Sequence, residues 1–213
     1  MSQTKAQLIA ADASFTISSD ATINEVTVGK GANSVNTNTV LGKSALDAAV
    51  TGGFNVALGH TALSNLTSGA QNTAIGYNTG LDLTTANFGT FVGSNAGANV
   101  TSGGNNTAIG QSALSSCTTG SNNTVVGRNA MSSLTEGATN VGIGSQSLLS
   151  VTTGSSNVAV GYGSLDALTT ASGNTGIGHA ALGATTTGLR NTAVGHASLL
   201  ANTTANDNTA VGS

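Results

Sequence analysis

The chain has 213 residues, of which 30 are Gly, none is Pro or Trp, and 6% are charged, with a formal net charge of -3. Soluble domains carry roughly 25% charged residues; here the 38% hydrophobic content is largely Ala and only six residues are aromatic, so a single wide core is excluded. Five Lys and Arg against eight Asp and Glu exclude a basic surface for nucleic acid, and the small net charge excludes disorder driven by self-repulsion.

The first 25 residues stand apart from the rest of the chain. Phe15 and Ile17 alternate like a strand, and Ala6 to Ala11 form a short surface suited to docking on a partner. The apolar patch Leu8 to Ala11 is too short for the core of a secretory signal, and no run approaches the ~18 apolar residues of a membrane span. A soluble product of a cytoplasm, attached through residues 1-25 to other proteins, is the expectation.

From residue 26 to 213 one motif, Asn-Thr-Ala-Ile/Val-Gly, returns without insertion. Its closing glycine falls at Gly42, Gly59, Gly76, Gly93, Gly110, Gly127, Gly144, Gly161, Gly178, Gly195 and Gly212, always 17 residues apart. With that glycine as slot 1, slot 4 is small (Ala45, Ala113, Ser147) and slot 5 is usually a large aliphatic such as Leu46, Leu114 or Met131. Slots 9 to 11 read Thr-Thr/Ser-Gly, slot 14 is Asn in every copy except Gly89, and slot 17 is Leu, Ile or Val throughout. Seventeen residues cannot bury an apolar face alone, so the copies must stack. The expected fold is mainly β: a parallel β-solenoid of 17-residue coils, slots 15 to 17 extended and slots 4 to 8 a short helical turn or bent second strand. The Asn row admits two readings, a ladder of stacked amides or a residue suited to the turn before the strand.

Placing slots 15 and 17 in the coil directs slot 16 outward. Its occupants include Ala57, Ala74, Phe91, Ala108, Val125, Ala159 and Ala193, with no polar residue in any copy. Small apolar residues on an outer face mark close packing of another chain, so these residues are the candidate interface of a homotrimer. Copies three and four carry Gly80 and Gly97 in the leucine slot, with Phe88 and Phe91 nearby, which reads as compensation of lost volume.

The string Asn106-Thr107-Ala108-Ile109-Gly110-Gln111-Ser112-Ala113-Leu114, followed by Thr118-Thr119-Gly120-Ser121-Asn122-Asn123-Thr124, resembles the repeats of bacteriophage tail-fibre and virion-fibre proteins. The segment Ile23 to Gly31 runs into the first repeat as it does in such proteins. The motif is also similar to the head repeats of trimeric autotransporter adhesins. The resemblance covers roughly residues 23 to 213 and implies a trimeric structural shaft of a virion, made in the host cytoplasm, anchored by its N-terminus and contacting the host surface. A bacterial trimeric adhesin and an ice-binding solenoid are the alternatives.

Slot 2 varies most: Lys43, His60, Tyr77, Gln111, Arg128, Tyr162, His179 and His196 occupy it. Clustered like charges do not suit a buried axis, so these residues form a candidate exposed stripe able to contact a glycan or a protein. His179 and His196 sit in neighbouring copies, yet two ligands without a carboxylate or thiolate make a poor zinc site, and no metal or cofactor is expected. Cys117, which rules out an intrachain disulfide by being alone, takes an aliphatic position and reads as buried filler. The scattered acids never converge into the pair that acid-base chemistry requires, so an enzyme is not expected.

Overall fold

The computed structural model describes residues 20-213; the features noted at Ala6 to Ala11, Phe15 and Ile17 lie outside the described residues. Two antiparallel strands open the fold, β1 (Ala21-Ile23) and β2 (Val26-Gly29), and β2 pairs antiparallel with β3 (Thr39-Gly42). From β3 onward every pairing is parallel. The rungs are β4 (Val56-Leu58), β5 (Thr73-Ile75), β6 (Thr90-Val92), β7 (Thr107-Ile109), β8 (Thr124-Val126), β9 (Val141-Ile143), β10 (Val158-Val160), β11 (Thr175-Ile177), β12 (Thr192-Val194) and β13 (Thr209-Val211). They form one sheet in sequence order, each residue opposite the residue 17 positions away. The chain is thus a parallel β-solenoid of about ten 17-residue coils. At ~4.8 Å per rung the described rod is on the order of 50 Å long.

The remainder of each coil is neither helix nor second strand. Slots 2 to 7 form a run of tight turns, and the described helical content is one 3-10 turn at Ala32-Ser34. The bending comes from left-handed backbone at fixed slots. Slot 5 is left-handed even where it is Leu, as at Leu63 (φ 52°), Leu114 (φ 54°) and Leu182 (φ 55°). That conformation costs a non-glycine residue roughly 1-2 kcal/mol. Complete burial of the same side chains gives ~1.5-3 kcal/mol each, enough to hold them there. Slot 1 must be glycine for a second reason. A Cβ on Gly59, Gly110 or Gly178 would collide with the backbone of the glycine one rung on.

The interior is lined by slots 4, 5, 8, 14 and 16: in one coil these are Ala113, Leu114, Cys117, Asn123 and Val125, all fully buried. Slot 16 therefore points inward, which corrects the outward placement expected for Ala57, Ala74, Phe91, Ala108, Val125, Ala159 and Ala193. All seven are buried within a single chain, so they are core residues and no interface between chains. The physical reason is the width of the coil. Leucines from slots 5 and 8 on the opposite wall fill it, leaving the strand wall room for a methyl group. The larger slot-17 side chain is then turned to the outside.

Copies three and four obey the same rule in reverse. Phe91 is fully buried, and a Cβ added to Gly97 or Gly89 would strike its ring, while one on Gly80 would lie 3.6 Å from it. Gly89 and Gly97 clear the space that the phenyl ring fills, and Gly80 borders it beside Leu63. Phe88 takes no part in this; it stands 56% exposed.

The Asn row is an amide ladder. Asn123 illustrates it: its backbone N-H and its Nδ2 both donate to Oδ1 of Asn106, at 2.9 and 3.2 Å, and Nδ2 also donates to the carbonyl of Gly137 at 3.0 Å. The pattern repeats through Asn140, Asn157, Asn174 and Asn191. Among the described residues no buried side-chain nitrogen or oxygen lacks a partner. Gly89 interrupts the side-chain ladder, and Asn106 Nδ2 donates there to the carbonyl of Gly103 in place of the missing amide oxygen, keeping its usual bond to the carbonyl of Gly120. A second ladder runs along slot 9, where the hydroxyls of Thr101, Thr118, Thr135 and Thr152 each donate to the carbonyl one rung on, at 3.0 to 3.2 Å.

Candidate functional site

The alternation of a strand puts slots 15 and 17 on the face opposite slot 16. In β5, β7 and β9 the burial runs half-buried, buried, exposed. The outer face of the sheet thus carries two columns. Slot 15 supplies Thr or Val from Thr39 to Thr209, and slot 17 supplies Leu, Ile or Val from Leu41 to Val211. Leu58, Ile75, Ile109, Ile143 and Ile177 are 36-40% exposed. No charged residue, Asn or Gln occurs in either column. The aliphatic row that the repeat pattern placed in the interior is therefore an outer row.

Slot 2 borders that face across the slot-1 glycine turn. Lys43, His60, Tyr77, Gln111, Arg128, Tyr162, His179 and His196 all face solvent in the single chain. The 17-residue register stacks neighbouring rings: His60 on Tyr77 with centroids 5.5 Å apart, Tyr162 on His179 at 5.4 Å, and His179 on His196 at 5.1 Å. Interplanar angles of 9° to 18° make these face-to-face stacks. Lys43 is held to Glu25 of the opening hairpin at 2.7 Å.

The opposite border is slot 13, the left-handed residue that turns the chain into each strand. Phe54, Gln71, Phe88, Asn105 and Asn122 stand there, all exposed. Sequence reasoning missed this column, although its period was legible. Arg190 and Asp207 occupy it near the far end and pair at 2.6 and 2.9 Å. The hydrogen bond and charge of Arg190 hold the Asp207 carboxyl below its ordinary range.

The remaining titratable groups are dispersed. Cys117 is buried, its thiol donating to the Gly120 carbonyl at 3.6 Å, and burial pushes its pKa up to about 11. Burial also raises the Asp166 carboxyl above its usual range. Among the described residues no three His, Cys, Asp or Glu side chains converge as a metal site would require, and no helix is long and apolar enough to cross a membrane.

No family model, no curated protein and no solved structure matches this chain.

Proposed function

We propose that the chain is the shaft of a fibre, a structural virion protein of a bacteriophage tail, neck or capsid that assembles with two further copies of itself. The observation that carries this reading is the uncharged outer face of the sheet. Eleven rungs present a continuous strip of Thr or Val beside Leu, Ile or Val, and an exposed apolar strip of that regularity is a surface for burial. A strip about 50 Å long and ~10 Å wide offers on the order of 500 Å² per copy. A standard interface uses ~800 Å² per partner, so the uncharged aromatic part of the slot-2 row bordering the strip would join the contact, with Lys43 and Arg128 left at its solvent edge. The stacked rings of Tyr162, His179 and His196 are suited to that role, since aromatic groups enrich the cores of such interfaces.

The virion assignment rests on the likeness of the Asn-Thr-Ala-Ile-Gly repeats to phage fibre repeats. The rod form, held by backbone, Asn and Thr ladders along its whole length, is compatible with a mechanical role. Residues 1-25 would then join other virion proteins, and the free flank would meet the host surface. Sedimentation or light scattering of the purified chain tests the assembly: a mass about three times the 20.5 kDa of one chain is expected, and a single-chain mass refutes it.

A second reading has a specific observation in its favour. Two regular columns of Thr or Val and of aliphatic side chains, without charge, are also the kind of surface that an ice-binding solenoid presents. Thermal hysteresis in freezing solutions separates the two readings, because a strip buried between chains has no contact with ice.

A further inference from the structure

The slot-13 column presents a contradiction in residue choice. Its backbone is left-handed in every coil from Phe54 to Asp207, a conformation suited to Gly, Asn and Asp. Asn105 (φ 57°), Asn122 (φ 60°), Gly173 (φ 75°) and Asp207 (φ 58°) comply. Phe54 (φ 62°) and Phe88 (φ 59°) do not, nor do Gln71 (φ 60°), Thr139 (φ 58°), Ser156 (φ 57°) and Arg190 (φ 54°). Among these the two Phe residues alone are large and apolar, and both are more than half exposed, at 66% and 56%. The slot-5 leucines adopt the same backbone, but their full burial compensates for it. The two phenyl rings lack that compensation, because more than half of each residue is left in water.

We propose that Phe54, Gln71, Phe88 and Asn105 form a binding site for an extended, neutral glycan. The column alternates aromatic and amide side chains along a straight line, one residue per rung. The backbone fixes that line: the amides of Gln71, Phe88 and Asn105 donate to carbonyls of the preceding rung, at Gly53 (3.0 Å), Ala70 (3.2 Å) and Asn87 (2.9 Å). The aromatic faces carry the negative side of a quadrupole and suit the polarised C-H groups of a pyranose ring. The amides of Gln71 and Asn105 suit its hydroxyls. The exposed amide of Asn87 stands beside Phe88, its Oδ1 already accepting from Ala70 N-H at 2.7 Å and so held in position.

Magnitudes select the ligand class. The two rings are two rungs apart, about 10 Å along the rod, which is the length of a disaccharide unit in an extended chain. A β-strand peptide repeats its side chains on one face every ~7 Å and falls out of register with that spacing. A polyproline II peptide, at about 9.3 Å per turn, keeps it, so a proline-rich decapeptide is titrated alongside the glycans, and its binding in their place overturns the proposal. A nucleic acid requires cations to neutralise its phosphates, and the column from Phe54 to Ser156 has no charged residue. The neutral glycan satisfies both the spacing and the absence of charge. The site does not depend on the fibre reading, since it lies on one chain and is complete there.

Calorimetric titration of the whole chain with three neutral probes, cellohexaose, β-1,4-mannohexaose and xylohexaose, tests it. Binding of at least one probe is expected, weakened about tenfold or more, near 1.4 kcal/mol, in the double variant Phe54→Asn/Phe88→Asn. Asn is the residue the solenoid itself uses in this slot, so the melting temperature of that variant should hold or rise. Tyr77→Ala, on the other border of the sheet, should bind as the native chain does. Failure of all three probes to bind overturns the proposal, as does binding that the double variant leaves unchanged. A lowered melting temperature of the double variant would show the rings to be structural and overturn it as well. A single-chain mass accompanied by glycan binding would refute the assembly and leave this site intact.

Discussion

The ring of Phe91 lies where a side chain on Gly97 would have to go: a Cβ built on that glycine collides with the ring. The two residues belong to opposite walls of one coil, slot 16 on the strand and slot 5 on the turn. Their exchange of bulk shows that the interior has a fixed width, shared between the walls.

That sharing predicts a rescue. Phe91→Ala should cost ~3-5 kcal/mol and lower the melting temperature far more than Phe54→Ala, whose ring is exposed. Adding Gly80→Leu and Gly97→Leu restores the arrangement of the other rungs and should recover much of the loss. Neither glycine substitution should be tolerated while Phe91 is present. A double-mutant cycle by chemical denaturation measures the coupling, expected at more than ~1 kcal/mol because the groups touch.

The amide ladder makes a separate demand. Asn140→Ala removes the acceptor of the Asn157 N-H and Nδ2 groups and the donor to Gly154 O. Each buried group left unpaired costs roughly 1-3 kcal/mol. Asn140→Ala should therefore destabilise the chain by about 3 kcal/mol or more in a denaturant titration, with protection from hydrogen exchange lost first at rungs β9 and β10. Asn122→Ala, one slot away and exposed, should change stability by much less.

Outward and inward strand positions should respond oppositely to charge. Ile109→Lys with Ile143→Lys places two cations on the outer face, where both side chains are partly exposed; the expected outcome is a folded chain whose assembly mass falls to that of one copy. Ala108→Lys points inward and should prevent folding, because an unpaired charge would be buried. Circular dichroism and light scattering on the same samples separate the two effects.

Cys117 supplies a pH dependence with a definite sign. Its folded-state pKa is raised from 9.0 to about 11, so the protonated thiol is the form the native state favours. The associated stability is present below about pH 9 and is lost as the pH rises toward about 11. Cys117→Leu, the residue of Leu134 in the next coil, should remove that alkaline loss in melts recorded across the range. At neutral pH the native thiol should resist alkylation until the chain unfolds.

Several of these relationships are legible in the repeat alone. The 17-residue interval identifies a solenoid, and the constancy of Gly42 to Gly212 marks the place where successive backbones approach too closely for a Cβ. The slot-2 residues are recognisable as an exposed stripe because unlike groups, Lys43, Tyr77 and Arg128 among them, share no single buried environment. The facing of the strand is not legible in the same way. Thr-Ala-Ile offers two apolar residues on opposite faces, and placing the larger one inside is the ordinary expectation. A clue lies in copies three and four, where Gly80 and Gly97 coincide with Phe91: that exchange requires slots 5 and 16 to meet inside the coil.

The sequence by itself determined the period, the parallel stacking and the chemistry of each slot, because those follow from repetition and from the preferences of single residues. The tertiary structure alone decided which face of the strand is the core. A side-chain period of two leaves inside and outside as exchangeable alternatives, and the choice between them depends on how much room the opposite wall leaves. Leucines at slots 5 and 8 leave room for alanine, and so the isoleucine row, the feature on which the proposed assembly rests, lies on the surface.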